Sequence, residues 1–231
     1  FRHMVYSQDS DTLFVSYSNM LKTAEGMKPL HKLLMLDGTT LALKGEVKDA
    51  YKGTAYGLTM DEKTQKIYVG GRDYINEIDA KNQTLLRTIP LKDPRPQITS
   101  VQNLAVDSAS DRAFVVVFDH DDRSGTKDGL YIFDLRDGKQ LGYVHTGAGA
   151  NAVKYNPKYN ELYVTISVVD ATKYSITREF NMPVYPNQMV LSDDMDTLYI
   201  GIKEGFNRDW DPDVFVEGAK ERILSIDLKK S

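Results

Sequence analysis

Five short stretches decide the fold: Leu13-Phe14-Val15-Ser16, Ile67-Tyr68-Val69-Gly70, Ala113-Phe114-Val115-Val116, Leu162-Tyr163-Val164-Thr165 and Leu198-Tyr199-Ile200-Gly201. All are rich in β-branched and aromatic residues, which fit a pleated, half-buried surface. The aromatic holds second place in every one. Upstream lies another strand pattern: Gly57-Leu58-Thr59-Met60-Asp61, Asn103-Leu104-Ala105-Val106-Asp107, Asn187-Gln188-Met189-Val190-Leu191. Downstream a third strand closes on Asp37, Asp79, Asp134, Asp170 or Asp227, and a polar turn leads to a fourth. These aspartates have a local reason to be there. An Asp carboxylate accepts backbone N–H bonds two residues on, which favours a turn, so they read as turn residues and not as catalytic ones.

Four short strands recurring every 45 residues or so describe a β-propeller blade. Five such units begin near His3, Tyr56, Asn103, Asn151 and Asn187. No segment sustains a period of 3.6, so helices should be few. The expectation is an all-β chain, residues 1–231 forming a single β-propeller domain of four-stranded blades.

Composition narrows the function. The 231 residues are 41% apolar and 27% charged, the balance of an ordinary globular chain, and the net charge is −4. That acidity disfavours a nucleic-acid partner, and the basic residues Lys92, Arg95, Lys229 and Lys230 are scattered. No run of eighteen apolar residues occurs, so membrane insertion is not expected. The absence of cysteine removes disulfides, thiolate zinc sites, iron–sulfur clusters and thiol catalysis. Gly-x-Ser-x-Gly, phosphate-binding glycine loops and His-Glu-x-x-His are missing too.

The strand Leu162-Tyr163-Val164-Thr165, followed by Ser167-Val168-Val169-Asp170-Ala171-Thr172, resembles the repeat of the YVTN β-propeller family. So does Pro186-Asn187-Gln188-Met189-Val190-Leu191-Ser192-Asp193-Asp194 with Thr197-Leu198-Tyr199-Ile200. Asn103 to Asp107, Arg112-Ala113-Phe114, Tyr155-Asn156-Pro157 and Asn160 to Thr165 extend the likeness over almost the whole chain. The order of blade variants is most like that of secreted propellers of Gram-negative bacteria. The resemblance implies a WD40-like ring, usually of seven blades, exported to the periplasm with its signal peptide removed. This chain departs from the pattern in three ways. Five repeats are visible, and the linker Lys92 to Gln97 sits where the family would hold more. Two blades lack a recognisable turn between their second and third strands, at Arg72 and after Ile166. The last blade stops before a fourth strand. Together these lead to the expectation that segments are missing from the chain, with a genuine five-bladed ring as the alternative.

In a propeller, ligands meet the channel mouth, where the innermost strands begin. One column falls there: His3, Tyr56, Asn103, Asn151 and Asn187, a set of amides, one imidazole and one phenol able to donate and accept hydrogen bonds. It is the expected ligand-binding ring. A second candidate lies in the longest insertion, where Phe206, Trp210 and Phe215 form an apolar patch for a partner. The acidic loop Asp119-His120-Asp121-Asp122-Arg123 reads as a solvated hairpin tip. Asp209-Trp210-Asp211-Pro212-Asp213 opens like a calcium loop, but no Gly follows and Lys220 stands where the bidentate Glu is needed. No catalytic residue, cofactor or metal is assigned. The expectation is a monomeric, non-enzymatic periplasmic binding or scaffold protein, presenting channel-mouth and inter-blade loops to an unidentified small molecule or protein partner. The alternatives are a metal-assisted, lactonase-like hydrolase and a propeller binding single-stranded nucleic acid.

Overall fold

Alternating side chains, short apolar runs and Asp-led turns build antiparallel meanders, one per repeat, in the computed structural model. It describes residues 3–52, 57–71, 73–92, 101–117, 128–147, 150–182, 186–202 and 222–229. Blade 1 holds β1 (Met4–Ser7), β2 (Thr12–Thr23), β3 (Gly26–Asp37) and β4 (Leu43–Val47). Blade 2 holds β5 (Gly57–Asp61), β6 (Lys66–Gly70), β7 (Tyr74–Asp79) and β8 (Thr84–Pro90). Blade 3 holds β9 (Val101–Asp107), β10 (Arg112–Val117), β11 (Gly129–Asp134) and β12 (Gln140–Val144). Blade 4 holds β13 (Val153–Asn156), β14 (Glu161–Val164), β15 (Ser167–Asp170) and β16 (Ser175–Glu179). Blade 5 has three strands among the described residues, β17 (Pro186–Leu191), β18 (Thr197–Ile202) and β19 (Arg222–Asp227). Each sheet pairs its strands in sequence order, and the blades form a β-propeller, first strand beside first strand. Among the described residues the only helical turn is the 3-10 turn Ser108–Ser110.

The blades are held together by four apolar clusters, one at each junction. Phe14, Leu33 and Met35 of blade 1 pack against Leu58, Ile67 and Ile78 of blade 2. Tyr68 and Ile75 then meet Leu104, Val115 and Phe133 of blade 3. Phe114, Val116 and Ile132 meet Val153, Leu162 and Val169 of blade 4. Tyr163 and Val168 meet Met189, Leu198 and Ile200 of blade 5. In blades 1 to 4 the second-strand aromatic therefore turns toward the following blade. Burial of these faces is the dominant favourable term in folding.

The far end of every blade is laced by one repeated device. The carboxylates of Asp37, Asp79, Asp134, Asp170 and Asp227 each accept a backbone N–H two residues on, from Thr39, Lys81, Arg136, Thr172 and Lys229. The next residue's N–H crosses to the turn between the first two strands. Gly38, Ala80, Leu135 and Ala171 donate to the carbonyls of Asp11, Gln65, Asp111 and Asn160. Those four acceptor residues all have left-handed backbone.

In blades 2 and 4, both connections between second and third strands are very short. Thr165 and Ile166 alone connect β14 to β15, with Thr165 at φ +53°. Between β6 and β7 the Gly71 N–H donates to the Tyr74 carbonyl at 2.9 Å and closes the bend. A Cβ at Gly71 would lie 2.1 Å from the buried Tyr74 ring, so a larger residue there would have to displace that ring. Blade 1 goes the other way. Its β1 pairs with β2 only through Val15, and β4 pairs with β3 only from Leu33 on. Among the described strands, Tyr17–Thr23 and Gly26–Lys32 pair with each other, as a two-stranded ribbon beyond the sheet.

Candidate functional site

Strand direction sets one face of the propeller apart. First strands start there, second strands end there, third strands start there, and fourth strands return to it. The face thus collects the inter-blade connections, the turns between second and third strands, and the blade 1 ribbon.

Four members of the expected ring are described, each within two residues of the start of a first strand. His3 is half-buried, and its carbonyl accepts the Ser16 N–H at 2.9 Å. Asn103 is buried in β9 opposite Val116, and its Oδ1 accepts the Leu104 N–H at 2.8 Å. Asn151 is exposed, its backbone N–H donating to Thr165 Oγ1 at 3.1 Å. Asn187 is half-buried where the β17–β18 register shifts between Pro186 and Met189. The four are not in one register: His3 and Asn103 lie two residues before the place opposite the second-strand aromatic, Asn151 and Asn187 three before it, and no hydrogen bond among the described residues joins Asn103, Asn151 and Asn187 to one another. Tyr56 lies outside the described residues, as do Phe206, Trp210 and Phe215, the Asp119 to Arg123 loop and the calcium-like stretch.

Lys154 was not singled out by sequence. It stands on β13 opposite Tyr163, and burial pulls its ammonium below the usual lysine range. It has no ion-pair partner among the described residues. The signal was available: the equivalent places on the other first strands, each opposite the second-strand aromatic, hold Val5, Thr59, Ala105 and Val190. A lysine in that apolar or small column stands out.

Several carboxylates near the blade junctions are already matched. Glu77, buried in β7, binds Lys66 at 2.7 Å and Arg87 at 2.7 Å. Burial pushes its carboxyl up, yet the two cations outweigh that and hold it below the usual range. Arg178 takes both oxygens of Glu161, at 2.8 and 3.0 Å. Asp196 accepts bonds from Lys158, Lys229 and Tyr159, which hold its carboxyl far below the ordinary range. Among the described residues no group of three or more His, Asp or Glu side chains is arranged to hold a metal ion.

No family model matches the chain. It is 31% identical over 216 residues to the YncE protein of Salmonella typhi, covering 90% of this chain and 56% of that protein. It is 27% identical over 210 residues to YncE of Escherichia coli strain K12, over 88% of this chain and 54% of that protein. The chain thus spans about half the length of the curated relatives it matches. Among solved structures it is similar to the hydrazine synthase of Kuenenia stuttgartiensis, with a TM-score of 0.65 and 14% identity, covering 99% of this chain and 63% of that one. At that identity the likeness is one of fold alone. The chain is a β-propeller of the YVTN type, homologous to YncE.

Proposed function

We propose that the chain acts as a non-enzymatic binding module of a periplasmic propeller, receiving a ligand or protein partner on the face where the first strands begin. The blade 1 ribbon carries this reading. Most two-stranded ribbons are marginal in water, yet this one extends past its sheet and keeps Met20, Leu21 and Met27 exposed. Its two edges differ. The β3 edge carries Lys28, Pro29 and Lys32, residues that discourage pairing. The β2 edge, Tyr17 to Thr23, has one lysine and no proline. An extended segment of a partner can add there as a further strand, its side chains meeting the exposed methionines. Asn151 and Asn187 offer amide donors and acceptors on the same face.

Two double variants test the reading: Met20→Glu with Met27→Glu, and Asn151→Ala with Asn187→Ala. Each is made in the protein's own cells and isolated under native conditions beside the wild type. Native mass spectrometry should find extra non-covalent mass on the wild type that denaturation releases. At least one variant should lose tenfold or more of it, with the melting temperature unchanged within about 2 °C, as for most surface substitutions. Wild type without extra mass, or full retention by both variants, contradicts the reading.

A further inference from the structure

We propose that Lys154 binds a small uncharged aldehyde or ketone by reversible imine formation, at the inner end of the junction between blades 4 and 5. The site is separate from the ribbon edge and the exposed amides, and does not depend on what docks there. β13 lies beside the first strands of blades 3 and 5, which makes it an innermost strand, next to the central channel. Val153 turns to blade 3, in the cluster with Phe114 and Ile132. Lys154 points the other way, because it stands opposite Tyr163, whose ring packs toward Met189 and Ile200 of blade 5. Its neighbours on that side are shut into the junction. Ala152 is 1% exposed in the same cluster. Asn156 is 0% exposed, and its Nδ2 donates to the Met195 carbonyl of blade 5 at 2.8 Å. The lysine between them is only half-buried, so its stem is held in the junction while the side chain still reaches water.

A lysine placed among apolar groups is ordinarily paired with a carboxylate. Here the carboxylates of the two blades are committed elsewhere. Glu161 gives both oxygens to Arg178 and accepts the Tyr163 hydroxyl at 2.9 Å. Asp196 is held by Lys158, Lys229 and Tyr159. Lys154 takes part in neither network. The amine is therefore not the cationic half of a structural ion pair among the described residues, and its place in the column of Val5, Thr59, Ala105 and Val190 does not call for one.

The surroundings choose the ligand. Apolar neighbours favour the uncharged amine, whose nitrogen keeps its lone pair. An anion would need the ammonium instead, and would have to shed its own water on entering. A carbonyl carbon needs the lone pair, which is why desolvated lysines serve as imine-forming groups. The nitrogen adds to the carbonyl carbon and a proton passes to the oxygen, giving a carbinolamine. Loss of water then leaves the C=N bond. One C–N double bond replaces the C–O double bond, both amine hydrogens leave with the oxygen as water, and nothing is oxidised or reduced. Water from the channel reverses the step and releases the ligand.

The test uses the unaltered protein, with propanal as the probe and cyanoborohydride to fix the imine as a stable alkyl amine. Peptide mapping under limiting reagent gives the rate at each lysine. Near neutral pH, Lys154 should be alkylated at least tenfold faster than the exposed Lys28 and Lys173. Its lead should shrink near pH 10, where exposed lysines also lose their protons. A rate no greater than theirs, as for an amine sealed in a purely structural place, overturns the proposal. So does a lead that does not change with pH. Protection of Lys154 by millimolar inorganic phosphate would mark an anion site and overturn it as well. Lys154→Met keeps an unbranched stem without the amine, and the fast adduct should vanish from that variant. A fast adduct that persists there contradicts the assignment.

Discussion

The aspartate closing each third strand needs only its own neighbours. The carboxylate turns back on the next two or three N–H groups, which are held whatever the rest of the ring does. These bonds hold Asp37, Asp79 and Asp170 below the ordinary carboxylate range, and the Arg136 guanidinium beside Asp134 lowers that one to about 2. A group depressed in the folded state adds stability that is complete above its unfolded value near 4, and that is lost as pH falls through the folded value. The urea midpoint should therefore be nearly flat from about pH 7 to pH 5 and fall between about 4 and 2. A fall centred near pH 6 would instead implicate histidine. The same locality made these aspartates legible in the sequence. Asn103 was not: its amide is taken up by the Leu104 N–H inside the sheet. Only the packing of β9 against its neighbours decides whether such a side chain reaches the channel.

At the scale of elements, the close approach of neighbouring first strands sets the blade spacing. Gly57 begins β5 where a Cβ would lie 2.3 Å from Leu104 Cδ2 and 3.0 Å from the Leu104 nitrogen. The leucine tip can swing aside, but the backbone nitrogen can yield only if blades 2 and 3 part. Gly57→Ala should cost about 1–3 kcal/mol through overpacking, seen as a lower urea midpoint with an unchanged slope. Gly201→Ala is the comparison, because the nearest atom to its Cβ would be 3.7 Å away, and it should change stability by less than about 0.5 kcal/mol. Equal effects would mean that the β5–β9 approach does not set the spacing. The strands themselves were legible from alternation and from the aromatic in second place. The turns at Gly71 and Thr165 were not, because neither has an Asn-Gly or Asp-Gly signature, and one is closed by a tyrosine ring. The ribbon was also hidden. Tyr17 to Lys32 has no alternation that marks where a sheet loses its outer strands, since that depends on where β1 and β4 stop.

Across the whole molecule, one motif used five times yields four nearly identical apolar junctions and one face that collects the irregular segments. Repetition is why the architecture could be read: each blade confirms the pattern of the others, and a junction needs the same residues wherever it occurs. What does not repeat, such as the ribbon and Lys154, has no such pattern in a single sequence against which to be read. The junctions make the blades a rigid support, while the ribbon, which extends beyond its sheet, should open more easily. Hydrogen exchange on the protein isolated with what it binds in its own cells, compared with the same protein stripped by partial denaturation and refolding, tests the central claim most directly. The account predicts slow exchange in β6, β10 and β14 in both samples, and added protection in the bound sample confined to Tyr17–Lys32 and the starts of the first strands. Protection that appears on the opposite face, among the Asp turns, or nowhere would contradict it.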